Sequence, residues 1–180
     1  VFINNSLFDK TIKNYPMFTN FFMGANYPAL AIANYFIAKN TADTEPDKGI
    51  FTNLKLQKIL YYAQGWYLGL YDLALFDDNI EAWDYGPVVP NVYYEFKENG
   101  ANEITEQSKI YKDSGLTDKV KNHLNDIYEA YRKYEGTYLI NTTHAEKPWA
   151  ITYYSPNKII DKGIIQEYFK FIAKRRGVRI

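Results

Sequence analysis

Along the chain, apolar and polar positions alternate with a period that marks a series of helices and a few short extended segments between them. The most informative run opens at Thr52 or Asn53 and places Leu56, Ile59, Leu60, Ala63, Tyr67 and Leu70 at the i, i+3, i+4, i+7 spacing of one helix face. Leu54, Tyr61, Trp66 and Leu68 extend the apolar character almost all round, so this segment is predicted to be a central helix with neighbours on several sides. Gly65 and Gly69, four apart, leave a shallow strip where another backbone can approach. Gln57 and Gln64, seven apart, lie on one side of the same helix. A buried amide requires partners, so these two either bond a neighbouring loop or helix end, or face a groove that a partner segment enters.

Upstream, Asn26 and Pro28 form a helix start, with Leu30, Ala33, Phe36 and Ile37 continuing at helical spacing to a loop over Asn40–Gly49. Downstream of the central helix, Asp72–Asn79 reads as a loop and Ile80–Tyr85 alternates like a short strand, stopped by Gly86-Pro87. Pro90 begins a helix carrying Val89, Tyr93 and Phe96 on one face and ending near Gly100, after which Glu103–Thr105 and Lys109–Tyr111 are predicted as short strands pairing with the first. A long amphipathic helix runs from Thr117 to about Tyr134, with Val120, Leu124, Ile127 and Tyr131 on one face, Leu116 just before it and Gly136 terminating it. A short helix over Thr137–Thr143 and a turn over Pro148–Tyr154 follow. Asp161 caps the last helix, Ile160 and Ile165 have hydrophobic-staple spacing, Ile164, Tyr168, Phe169 and Ile172 continue the stripe, and Lys174, Arg175 and Arg176 complement the helix dipole. Residues 1–25, aromatic and Asn-rich, show no clean period and read as an N-terminal extension to a domain over 26–180. The predicted fold is mainly α: a compact single-domain helical fold around a central apolar helix, with a small two- or three-stranded β element.

Composition narrows the function classes. At 180 residues the chain fits one core. Its 21 basic and 21 acidic residues cancel, whereas a nucleic-acid binder usually carries a basic surplus. The absence of cysteine excludes disulfides, thiolate catalysis and Cys-type zinc sites, and is compatible with a reducing cytoplasm. No apolar run approaches the roughly 20 residues of a membrane span. The opening Val1-Phe2-Ile3-Asn4-Asn5 lacks the flank and core of a secretory signal, and also an initiator Met. The two histidines, His123 and His144, have no metal-ligand spacing; His123 falls on the apolar face of its helix, the place of a core or boundary residue. No nucleophile elbow or Gly-rich phosphate loop is present, so no catalytic residue, metal or cofactor is assigned. The acids Asp77, Asp78, Glu81 and Asp84 cluster near the first strand. A hydrolase reading would use Glu81 or Asp84 with His144, but acidic loop residues more simply sit in solvent and flank turns. A transcription regulator is a further alternative, although no DNA-binding module is appended.

With 18 Tyr and 11 Phe, aromatics reach 18%, an inventory suited to a contact surface because tyrosine joins an apolar ring to a polar tip at low entropic cost. The run from Thr52 to Trp66 (Thr-Asn-Leu-Lys-Leu-Gln-Lys-Ile-Leu-Tyr-Tyr-Ala-Gln-Gly-Trp) resembles the first signature of the Panacea, or SocA-like, antitoxin domain family. Glu81-Ala82-Trp83-Asp84-Tyr85-Gly86-Pro87-Val88-Val89-Pro90, followed by Tyr93 and Phe96, resembles its second block, and Thr143-His144 with Pro148-Trp149 its third. The resemblance runs from about Pro28 to Phe169. It implies a cytoplasmic, non-enzymatic antitoxin of bacteria and their prophages whose partner is a cognate protein toxin. Neutralisation is either by sequestration or, as in the SocA type, by an adaptor that hands the toxin to a ClpXP protease. The residues it places at or near the partner-binding face are Tyr62, Trp66, Trp83, Tyr85, Tyr93, His144 and Trp149, with Gln64 and Glu81 as polar partners.

Overall fold

The computed structural model describes residues 27–111 and 115–178. Seven α-helices occur among them: α1 (Ala29–Ala42), α2 (Asn53–Tyr71), α3 (Pro90–Phe96), α4 (Asp118–Tyr131), α5 (Gly136–His144), α6 (Lys147–Tyr153) and α7 (Lys162–Arg175). Between α2 and α3 lies an antiparallel hairpin, β1 (Glu81–Trp83) and β2 (Gly86–Val88), and a 3-10 turn over Lys97–Asn99 extends α3.

Helix α2 is the axis of the molecule. Thr52 caps it, its hydroxyl accepting from the Lys55 N–H, and every residue from Lys55 to Gly69 is buried. Helices α1, α3, α4, α5 and α7 and strand β2 pack around it, α7 most extensively, while α6 packs on α5, α7 and β1. Gly65 and Gly69 are the reason that α7 comes so close. A Cβ on Gly65 would lie 2.2 Å from the Phe169 ring, and one on Gly69 would lie 2.8 Å from the Phe169 Cβ. The expected strip is therefore filled by Phe169, whose ring meets Tyr61, Tyr62, Trp66 and Tyr168 edge-on.

Both glutamines of α2 bond the chain that follows the helix. Gln64 donates to Phe76 O (2.8 Å) and accepts from the Leu75 N–H (2.8 Å) and the Phe76 N–H (3.2 Å), holding the loop after α2 against the core. Gln57 accepts from the Val89 N–H at the hairpin exit (2.9 Å) and donates to Asn53 Oδ1 (2.8 Å), while Asn53 donates to Tyr93 O. Two buried amides one turn apart thus set where β2 ends and α3 begins.

Several expectations need correction. The predicted cap Asn26 lies outside the described residues and is not tested; α1 opens after Pro28, and its first N–H, that of Ala29, donates to Asp78 from a distant loop (2.9 Å). Residues 103–105 and 109–111 are not strands. Asn34, buried on α1, donates to Ser108 O and Ile110 O and accepts from the Ser108 N–H, and so holds that stretch in an irregular path. Beyond β2, the pairing on β1 comes from the segment before α7: Ala82 N–H donates to Lys158 O and Ile160 N–H to Ile80 O. Gly86-Pro87 does not stop the strand but begins its return arm. Gly136 opens α5 instead of closing α4, where a side chain would press on Leu54 at 3.1 Å. The segment from 147 to 153 is a helix, not a single turn. His123 is a core residue as expected: its Nε2 lies 2.9 Å from Ala63 O, and burial pushes its pKa down to about 4.

Candidate functional site

Aromatic rings gather around the β1–β2 hairpin, from buried Trp149 through half-buried Trp83, Tyr93 and Tyr153 to exposed Tyr85, Tyr94 and Tyr154. The antiparallel register pairs Trp83 with Gly86 across a two-residue turn, Asp84-Tyr85, which projects the Tyr85 ring outward with 70% of its surface exposed. The Trp83 indole N–H donates to Glu81 Oε2 (2.8 Å), and its ring meets Tyr93 (centroids 5.0 Å apart) and Tyr94 (6.2 Å) edge-on. On the other side, the Trp149 indole N–H donates to Trp83 O (3.0 Å). A column of stacked rings runs from His144 through Trp149 (3.8 Å) to Tyr153 (4.5 Å), and the Tyr153 O–H donates to Asp84 Oδ1 (3.0 Å). Tyr154, 86% exposed, continues it edge-on. Hydrogen bonds fix three of these rings, Trp83 to Glu81, Tyr153 to Asp84 and Trp149 to Trp83 O, so this part of the aromatic face is preorganised.

Below the turn, α2, the hairpin and α3 enclose an open groove of about 590 Å³ lined by Leu54, Trp83, Tyr85, Val88 and Tyr93 among others. Lys58 forms part of its wall. Its side chain is fully buried, and its ammonium donates to Pro87 O (3.1 Å). Burial without a compensating carboxylate pushes its pKa down to about 7. Gly86, at φ +95°, permits this approach: any Cβ there would lie 2.6 Å from Lys58 Cε. The exposed residues Lys97 and Lys158 and the carboxylate of Asp84 also line the groove.

Six residues from the sequence motifs therefore meet at one place: Glu81, Trp83, Tyr85, Tyr93, His144 and Trp149. Tyr62, Gln64 and Trp66 do not join them. Gln64 is interior, committed to the Leu75–Phe76 loop. Tyr62 stacks on Tyr131 (4.1 Å), and the Trp66 indole N–H donates to the Tyr131 hydroxyl (3.2 Å). Both border a different cavity of about 460 Å³, with Glu146, Tyr168 and Arg176 on its walls. There the Tyr62 O–H donates to Glu146 Oε1 (3.1 Å); the nearby Tyr61 hydroxyl forms no hydrogen bond of normal geometry, and Glu146 Oε2 is buried without a partner. Burial pushes the Glu146 carboxyl up to about 7.

The four acids near the first strand have separate structural partners: Asp77 pairs with Lys162, Asp78 bonds the Ala29 N–H and the Asn91 amide, Glu81 holds Trp83, and Asp84 holds Tyr153. The sequence reading missed Tyr94, Tyr153, Tyr154 and Lys58. Adjacent Tyr pairs at 93–94 and 153–154 were a visible signal for the first three. Nothing local distinguishes Lys58 from a surface lysine.

Residues 56–150 match the family model described as "Antitoxin SocA-like, Panacea domain", a range that contains the hairpin and every aromatic of the groove. The chain is 33% identical over 161 residues to the antitoxin SocA of Caulobacter vibrioides (strain NA1000 / CB15N), an alignment covering 79% of this chain and 82% of the relative. The chain belongs to the SocA-like, Panacea-domain antitoxin family. Among solved structures there is no significant match. For this Panacea-domain protein, the family-matched range includes α2 from Leu56 but stops before α7, the helix that packs most closely on α2. No helix among the described residues is long and apolar enough to cross a membrane.

Proposed function

We propose that this protein is a cytoplasmic antitoxin that binds and neutralises a cognate protein toxin, without making or breaking bonds, through the aromatic groove around the hairpin. The observation that carries this reading is the convergence of six motif residues on one surface, with Tyr85, Tyr94 and Tyr154 more than half exposed beside it. Rigid rings with polar tips, preset by Glu81 and Asp84, are the chemistry of an interaction hot spot: they bury apolar area and lose little side-chain entropy.

Co-expression with the product of the neighbouring gene tests it. Wild-type protein is expected to restore growth and to co-elute with that product. Replacing both Tyr85 and Tyr154 with Ala is expected to abolish rescue and co-elution, while leaving the melting temperature within a few degrees because neither ring is in the core. A doubly substituted protein that still rescues fully would rule out this face. Occlusion of the toxin and its delivery to a ClpXP-type protease are separated by toxin half-life in cells with and without the protease: only delivery shortens it.

A further inference from the structure

Lys58 is the one fully buried ammonium on the wall of the groove, and a single main-chain oxygen is its hydrogen-bond partner among the described residues. An ammonium carries three donors, and among the described residues Pro87 O is the only acceptor for this one. No carboxylate faces it. Asp84, the acid of the groove, is bonded to Tyr153, and the other cations there, Lys97 and Lys158, add charge of the same sign. Lys55, the other buried lysine of α2, provides the contrast, because its ammonium is anchored by the main-chain oxygens of both Lys48 and Arg132. A purely structural lysine is satisfied in that way. Burying a cation with unused donors is costly unless something supplies the missing acceptors.

We propose that Lys58 is the anion receptor of the groove: it takes the side-chain carboxylate of an Asp or Glu on the bound partner polypeptide, whose flanking apolar residues lie against Trp83, Tyr85, Val88 and Tyr93. This rests on the antitoxin reading for the identity of the partner. Charge complementarity selects an acidic group, since three lysines line the groove and its single carboxylate is already bonded. The groove is open and lies between the hairpin and α3, so a chain can pass through it; an internal acidic side chain, not a chain terminus, is the occupant to which the geometry commits.

Two experiments test the site independently of each other. In the first, full-length protein labelled at the lysine side chains is titrated with three peptides: acetyl-Leu-Glu-Leu-amide, its Gln counterpart, and acetyl-Leu-Gln-Leu with a free carboxylate. K58M identifies the Lys58 signal. The glutamyl amide is expected to shift it and the glutaminyl amide to leave it unmoved; equal responses, no response, or a response only to the free C-terminus would each overturn the proposal. In the second, the toxin identified by rescue is bound to wild type, K58M and K58R. Truncating one side of a buried charge pair is expected to weaken Kd by about 30-fold or more for K58M, with partial retention by K58R. K58M leaves Pro87 O without its donor, so the amide spectrum of the hairpin is compared as well: residues 81–89 are expected to keep their wild-type shifts in K58M, which separates lost binding from a displaced hairpin. A complex that forms with wild type and is unchanged in K58M refutes the receptor role and leaves the antitoxin reading intact. If no complex forms with wild type, the antitoxin reading fails and the peptide titration decides the site alone.

Discussion

Glu146 makes the stability of this protein depend on pH in a way that a single substitution should expose. The residue is 8% exposed at the start of α6, with one oxygen bonded to the Tyr62 hydroxyl and the other without a partner. Burial raises its carboxyl from an ordinary 4.5 to about 7, against the opposing pull of its tyrosine neighbours and Arg176. A group whose folded-state pKa lies above its unfolded value contributes fully below the unfolded value, and the contribution is lost as pH rises through the folded one. Stability held below pH 4.5 is therefore lost by pH 8, and the interval, at about 1.4 kcal/mol per pH unit, amounts to about 3 kcal/mol. His123 works in the opposite direction. Its pKa is depressed from 6.5 to about 4, so its contribution is present above 6.5 and disappears as pH falls toward 4. The two contributions overlap in the wild-type profile, and the difference between wild type and Glu146→Gln is what isolates the carboxyl. Gln keeps the acceptor for Tyr62 but adds a buried amide N–H, a cost that is independent of pH and cancels from the slope. Urea unfolding followed by tryptophan fluorescence, at steps between about pH 4.5 and 8, is expected to show the variant gaining about 3 kcal/mol on the wild type across the range. A difference that stays constant within about 0.5 kcal/mol would mean that the carboxyl is not held protonated, and the reasoning would fail.

Three further outcomes follow from the packing. Gly65→Ala forces the Phe169 ring to move, because the new methyl would sit 2.2 Å from it; a loss of about 1–3 kcal/mol in urea unfolding is expected, with partial recovery when Phe169→Leu is added. Gln64→Leu leaves the Leu75 and Phe76 N–H groups and Phe76 O buried without partners, so stability should fall by about 2–4 kcal/mol, and amide exchange should accelerate first at Leu75 and Phe76. Lys58→Met removes a base depressed from 10.5 to about 7, whose unfolded form alone takes up a proton in that interval. The stability difference between variant and wild type should move by several kcal/mol in favour of the wild type from pH 7 to pH 10.5, while the unpaired Pro87 O is a cost independent of pH; thermal melts across that range check the direction of the slope.

The features that local rules dictate were legible in the sequence. An α2 segment apolar on all sides can only be interior, Thr52 and Asp161 cap because their oxygens reach orphan N–H groups one turn ahead, and Gly65 and Gly69 announce a close neighbour without saying that it is Phe169. The three motifs likewise marked the family and most of the aromatic face. What sequence could not supply depends on partners far along the chain. Gly86-Pro87 reads as a breaker by local preference, yet it forms a strand because Lys58 and Gln57 on α2 hold Pro87 O and the Val89 N–H. Residues 109–111 have strand-like composition but are drawn into an irregular path by Asn34, more than 70 positions away. Tyr62 and Trp66 sit in the same signature as Lys58, and helix periodicity cannot tell which of them meets the groove, since all three are buried. Only the arrangement of α3, α7 and the hairpin around α2 separates a lysine that lines a groove from aromatics that fill a core, because burial and electrostatic environment are properties of what surrounds a residue in space, not of its neighbours in the chain.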